Sequence, residues 1–254
     1  MQIKNLTFAY SEIAKIVDDV DLEFQTGKIT TLIGANGCGK STLLKLMSKN
    51  LPLQSGEIVI KGKVITDYSL REFAKELAVV HQKNTAPDDL TVKKLVAYGR
   101  IPHKHIMKTS HSKEDEEKIT WAMEATDVLH LENRALGSLS GGQRQRVFIA
   151  MALAQDTNIL FLDEPTTFLD VKYQVEVLRL VKRLNREFGI TIVMVLHDMN
   201  QAISYSDEIV VLKNGKVYAQ GVPKDVVTAK MIKEVYDIDL QVFENDGMVC
   251  VMAV

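Results

Sequence analysis

Residues Gly34-Ala35-Asn36-Gly37-Cys38-Gly39-Lys40-Ser41 fit the pattern G-x-x-x-x-G-K-[ST], and they join two apolar segments of different period. Ile29 to Ile33 is short and β-branched, whereas Thr42 to Met47 continues as an apolar helix. A glycine-rich loop between such segments commits the chain to a strand–loop–helix unit, because the backbone must curl until several N–H groups converge. Converging N–H groups cradle phosphate oxygens, the Lys40 ammonium can bridge the β and γ positions, and the Ser41 hydroxyl can bind Mg²⁺. A merely structural glycine turn explains neither the lysine nor the hydroxyl. Cys38 is read as a small filler residue whose thiol is exposed in the loop.

The rest of the chain alternates in the same way. Leu77 to Val80, Ile159 to Leu162 and Ile190 to Leu196 are short apolar runs of the kind buried on both faces of a sheet, which predicts an α/β core. Two hairpins decorate it, Gly56 to Ile65 turning at Lys61-Gly62 and Ile209 to Ala219 turning at Asn214-Gly215. Between Asp88 and Asp156 the strand pattern disappears. Ser112-x-x-Asp115 reads there as a capping pair leading into Ile119, Ala122, Met123, Ala125, Val128 and Leu129 at helical spacing. The expected organisation is one domain over 1–254: a core with a small antiparallel β subdomain over 1–87 and 157–254, and an inserted helical subdomain over 88–156.

Composition removes several function classes. Lys and Arg total 31 against 33 acidic residues, a formal net charge of -2, so there is no electrostatic footprint for nucleic acid, which is not expected as a partner. The longest apolar run, Val147 to Ala154, is far below the ~18 residues of a bilayer-spanning helix. The start MQIKNLTFAY lacks a basic segment, apolar stretch and cleavage site, so a cytoplasmic location is expected. Cys38 and Cys250 form no metal or disulfide pattern. His103, His105 and His111 fall in a polar stretch without a carboxylate or cysteine framework and are read as solvated. The acidic run Glu114 to Glu117 suits the positive end of a helix dipole.

The run Ile159 to Leu162 delivers Asp163 and Glu164 to the carboxyl edge of the sheet, where ligands of open α/β sheets gather. Strand alternation separates their tasks: Asp163 for the Mg²⁺ shell, Glu164 to orient or deprotonate an attacking water. Leu77 to Val80 leads to Gln82, which can orient water or complete the metal shell, and Ile190 to Leu196 leads to His197, which can bond a γ-phosphate. The stretch Leu139-Ser140-Gly141-Gly142-Gln143 opens a helix-period run, and N–H groups exposed at such a start form a second anion site. That helix is expected to bury Val147, Ile149, Met151 and Leu153. Arg144 and Arg146 read as a solvated face or local ion pairs.

With Gly34 to Thr42, Gln82, LSGGQ, Asp163-Glu164 and His197 in this order, the chain resembles the ATP-binding-cassette ATPases over essentially its whole length. The resemblance implies a P-loop NTPase (RecA-like) core with Gly34 to Thr42 as Walker A, Ile159 to Asp163 as Walker B, Glu164 as catalytic carboxylate, Gln82 as Q-loop, Asp170 as D-loop and His197 as switch histidine. It places Tyr10 under the adenine, although an aromatic face stacks on any base. It also implies that the signature turn of one copy, Ser140 to Gln143, caps the γ-phosphate held by a second copy in a head-to-tail dimer. ATP and Mg²⁺ are the implied ligands. Since each motif occurs once and none is degraded, an ATP-dependent homodimer with two competent sites is expected.

The local text Val96 to His103, Asp163 to Asp170 and Leu196 to Ala202 is similar to the iron-siderophore, haem and cobalamin importer branch. That similarity implies a peripheral subunit at the cytoplasmic face of the cell membrane, docked on permease subunits near Tyr98 to His103 and served by an extracytoplasmic substrate-binding protein. Phe168 stands where the wider family commonly has a small residue. A soluble mechanochemical ATPase would need a long coiled-coil insertion or a second cassette, and a purely regulatory module would not need intact Glu164 and His197.

Overall fold

The computed structural model describes residues 1–11, 14–104, 112–245 and 248–252. They form two compact units, Met1–Asp67 with Thr191–Val254, and Tyr68–Ile190.

In the first unit the Ile29–Ile33 strand lies between parallel neighbours, Thr191–Val195 and Glu208–Lys213. Every residue of the first two strands is buried, as expected of strands covered on both faces. Polar groups there are partnered: Thr31 Oγ1 and Ser206 Oγ share a hydrogen bond of 2.5 Å, and Gly27 N donates to Thr191 Oγ1 at 2.9 Å. Lys216–Gly221 folds back on Glu208–Lys213 through Asn214 (φ 50°) and Gly215 (φ 79°), a two-residue turn of the I′ kind that the sequence predicts. The Lys61-Gly62 turn is the same, joining Ser55–Ile60 to Lys63–Val64.

A second sheet of this unit runs Ala14–Glu23, Gln2–Ser11, Ser55–Ile60, Lys63–Val64, all antiparallel. Its two long amino-terminal strands escape sequence reading. Four register shifts between Ile3 and Ser11 break the two-residue alternation that would announce them. After Gly221 the chain forms helices Pro223–Val226 and Ala229–Tyr236 and the hairpin Gln241–Asn245 with Met248–Met252.

The second unit contains the parallel pair Leu77–Val80 and Ile159–Asp163 and the helices Val92–Ala97, Lys113–Ala125, Gly141–Ala154 and Val171–Phe188. The expected Ser112/Asp115 capping box is present, with Asp115 N donating to Ser112 Oγ at 3.1 Å and Ser112 N to Asp115 Oδ2 at 3.0 Å. The helix stops at Ala125, so Val128 and Leu129 do not continue its period. Asp127 takes a left-handed φ of 58°, and Asp127 N and Val128 N bond back to Glu124 O and Met123 O, a Schellman stop. Gly141–Ala154 buries Val147, Phe148, Ile149, Ala150, Ala152, Leu153 and Ala154, whereas Met151 is only half-buried. It is a core helix covered almost all round rather than one with a single apolar stripe. Among the described residues no helix is long and apolar enough to cross a membrane.

Candidate functional site

Gly34 follows the buried Ile33, and its φ of 147° carries the chain out of the strand. A Cβ there would lie 2.3 Å from Leu212 O and 2.7 Å from Cys38 Sγ, and one at Gly39 would lie 2.5 Å from Ile16 O, so side chains are excluded at both ends of the loop. The Lys40–Met47 helix follows. The buried Lys40 ammonium donates to Gly34 O at 2.7 Å and Ala35 O at 3.1 Å, with Cys38 Sγ at 3.8 Å, so it stands inside its own loop. Cys38 is buried, contrary to the exposed thiol expected, because its sulfur packs between Gly34 and Lys40. Asn36 and Gly37 are exposed at the loop tip, Ser41 is half-buried and Thr42 is buried.

Tyr10 is 60% exposed and stands edge-on to Phe8, centroids 5.0 Å apart, its hydroxyl 3.4 Å from Thr42 Oγ1. The Gln2–Ser11 strand thus presents an open aromatic ring beside the start of the loop's helix. Sequence reading missed Tyr236, for which no motif gives a signal. Burial pushes its hydroxyl up to about 12, against a hydrogen bond with the Gly34 backbone that holds it down.

Leu32 pairs with Val195 in the parallel register, so Gly34 and His197, each two residues further on, leave the same edge of adjacent strands. His197 is exposed. Asp198 caps the helix Met199–Tyr205 by accepting from Gln201 N at 2.8 Å.

In the second unit Val80 pairs with Leu162, and Gln82 and Glu164 follow those partners at one edge. The Gln82 amide donates to Glu164 Oε2, which also accepts from Thr167 Oγ1 at 3.0 Å. Asp163 ends the strand and is buried. Glu164 has already left it: its φ of 51° is left-handed, a conformation costing about 1–3 kcal/mol for a residue other than glycine. The two carboxylates therefore differ in environment through a chain reversal, not through strand alternation alone.

Ser140 caps Gly141–Ala154 in a reciprocal box, with Gln143 N donating to Ser140 Oγ at 3.3 Å and Ser140 N to Gln143 Oε1 at 3.0 Å. Gly142 is buried against Tyr173, where an added Cβ would meet ring carbon Cδ1 at 2.4 Å. Arg144 and Arg146 form local ion pairs, with Asp88 at 3.1 Å and with Asp127 and Glu176 at 3.4 and 3.0 Å.

The turn Tyr98–His103 exposes Tyr98 and Ile101 but buries Arg100, 2% exposed. Arg100 Nε donates to Asp115 Oδ1 at 2.8 Å and Nη1 to Ala154 O at 2.9 Å. Asp115 is pushed up by burial but pulled further down by Arg100 and by the Ser112 N–H and hydroxyl, to about 2. It is thus a buried ion-pair partner as well as a first-turn acid. His103 is half-buried, its Nε2 2.8 Å from Gln155 O, rather than solvated, while His105 and His111 lie outside the described residues. Phe168 has a left-handed φ of 65° and is 84% exposed. Asp170 stands at the amino end of Val171–Phe188 without a side-chain cap bond.

A family model described as ABC transporter matches residues 17–167. The chain belongs to the ABC transporter family. This ABC cassette is 47% identical over 245 residues to the petrobactin import ATP-binding protein FpuC of Bacillus anthracis, covering 96% of this chain and 89% of that protein. It is 43% identical over 242 residues to the ferric enterobactin transport ATP-binding protein FepC of Escherichia coli strain K12, covering 95% and 89%. Among solved structures, a metal-chelate type ABC transporter in an inward-facing conformation superposes with a TM-score of 0.83 at 26% identity, over 98% of this chain and 94% of that chain. A dimeric bacterial ABC transporter cassette gives 0.74 at 29%, over 87% and 98%. The fold is that of the P-loop NTPases, and the cassette is an ATP-binding, ATP-hydrolysing protein.

Proposed function

We propose that this cassette energises uptake of an iron-siderophore or related metal chelate through a separate membrane permease. The observation that carries this reading is the intact set of ATPase motifs on a chain 43–47% identical, over nearly its whole length, to import ATP-binding proteins for petrobactin and ferric enterobactin. Residues 88–156 act as the helical subdomain and the remainder as the catalytic core.

Tyr10 stacks on the adenine, and the loop from Gly34 through Asn36, Gly37, Cys38 and Gly39 to Lys40, Ser41 and Thr42 holds the phosphates. The Ser41 hydroxyl, the Asp163 carboxylate and the Gln82 carbonyl are hard oxygen donors of the type Mg²⁺ takes, so the residues present fit that ion. Held by those three residues, the ion would supply charge neutralisation to the phosphates. Lys40 exchanges its loop carbonyl acceptors for phosphate oxygens. Glu164, its carboxylate oriented by Gln82 and Thr167, takes the proton of the attacking water, and His197 bonds the γ-phosphate. Ser140, Gly141, Gly142 and Gln143 serve the nucleotide of a second copy, so ATP binding joins two cassettes and hydrolysis parts them. The dimer sits at the cytoplasmic face of the membrane through the permease, which an extracytoplasmic binding protein loads.

The test is uptake of radiolabelled ferric siderophores by a strain lacking the gene. Restoration by the wild-type chain but not by Glu164→Gln is expected. Unchanged uptake of ferric siderophores, haem and cobalamin in the deletion strain sinks the transport assignment.

A further inference from the structure

The His197 loop is followed by a helix, Met199–Tyr205, whose first turn is tied to the far end of the described chain. Asn200 Nδ2 donates to Val251 O at 3.0 Å, and Val251 N donates to Asn200 Oδ1 at 2.8 Å. The Asn200 amide therefore pairs with both backbone groups of one residue in the Gln241–Met252 hairpin, as a neighbouring strand would. Only an amide side chain supplies a donor and an acceptor at that spacing. Val249 and Val251 of this hairpin are buried.

A helix of seven residues does not hold its place by propensity; tertiary contacts must do so. Upstream, the last ladder bond before His197 is Leu196 N to Leu32 O, a long 3.4 Å. Downstream, Asp198 fixes the local first turn. The two-point Asn200–Val251 contact is a long-range tie three residues beyond His197. Two bonds resist pivoting where one would not.

We propose that Asn200 is a positioning residue for His197, with the carboxyl-terminal hairpin as the fixed abutment against which the switch helix is set. This rests on the role assigned above to His197 in ATP hydrolysis. Through it the hairpin, far along the chain from every phosphate-binding motif, enters the hydrolytic step but not nucleotide binding.

The test uses the full chain and four variants, Asn200→Ala, Asn200→Asp, Asn200→Gln and His197→Ala, with steady-state ATP hydrolysis, titration by a fluorescent ATP analogue and amide hydrogen exchange. Asn200→Ala and Asn200→Asp are expected to lower kcat about tenfold, the scale of a displaced catalytic group, with nucleotide affinity held within about twofold. Exchange should rise together in 197–205 and 248–252, and Asn200→Gln, which keeps the amide, should recover part of the rate and shows that the fold survives change at this site. Combined with His197→Ala, Asn200→Ala should add nothing. Unchanged kcat with a loosened hairpin, a parallel loss of affinity, or a loss additive to that of His197→Ala overturns the proposal. If His197→Ala itself leaves hydrolysis intact, the role given to that histidine fails first, and that result is separable from the others.

Discussion

Gln82 and Thr167 both donate to the same oxygen of Glu164, one from the end of the neighbouring parallel strand and one from the turn three residues on. The strained φ of 51° at Glu164 is therefore matched by two bonds that fix where its carboxylate points. The carboxylate's orientation is built into the chain itself.

Glu164→Gln keeps the size and an acceptor oxygen but removes the carboxylate proposed above as the base. Turnover is expected to fall by about 10²–10⁴-fold while ATP affinity is retained. Phosphate release and a fluorescent-nucleotide titration separate the two. Light scattering at saturating ATP and Mg²⁺ should show a trapped dimer; a monomer there contradicts the clasp assigned to Ser140–Gln143.

Lys40→Ala removes the charge that bonds the carbonyls of Gly34 and Ala35 and that is proposed above to meet the phosphates. Charge-assisted bonds of about 1.5–3 kcal/mol translate into nucleotide binding weaker by roughly 10- to 100-fold. Direct titration measures it, and unchanged affinity would assign phosphate binding elsewhere.

At Gly142 the Tyr173 ring leaves no room for a methyl group. Gly142→Ala is expected to cost about 1–3 kcal/mol of stability, as overpacking does. Tyr173→Ala in the same chain should relieve the clash, which chemical denaturation of the single and double variants reads as a non-additive cycle.

Asp115 titrates near 2 in the folded chain, below its ordinary value of 3.8, so the unfolded state binds more protons in between. Its contribution is fully present above about 4 and disappears as the pH falls toward about 2. Asp115→Asn should therefore show a shallower loss of stability over that window than the wild type. Urea midpoints at pH 4.5, 3.5 and 2.5 check the slope, and identical slopes refute the ion pair's part in it.

Motifs that depend on local backbone chemistry are legible in the sequence itself. The loop at Gly34–Ser41, the Ser112 cap and the turns at Lys61-Gly62 and Asn214-Gly215 all follow from which residues tolerate a given φ or supply a given acceptor. What could not be read are relations set by distant partners. Nothing in the local text says that Arg100 is buried on Asp115 and Ala154, that Cys38 is shielded by Lys40, or that Tyr236 reaches Gly34. The bulged strand Gln2–Ser11 was hidden for a different reason, since each register shift resets the alternation on which strand recognition depends.

Lys40 already sits among the carbonyls of Gly34 and Ala35, so the loop is pre-shaped around its own cation. A polyphosphate bound there, as proposed above, would have to offer that ammonium better acceptors than these two carbonyls. On the function proposed above, exchange of spent for fresh nucleotide becomes a swap of acceptors around a standing frame.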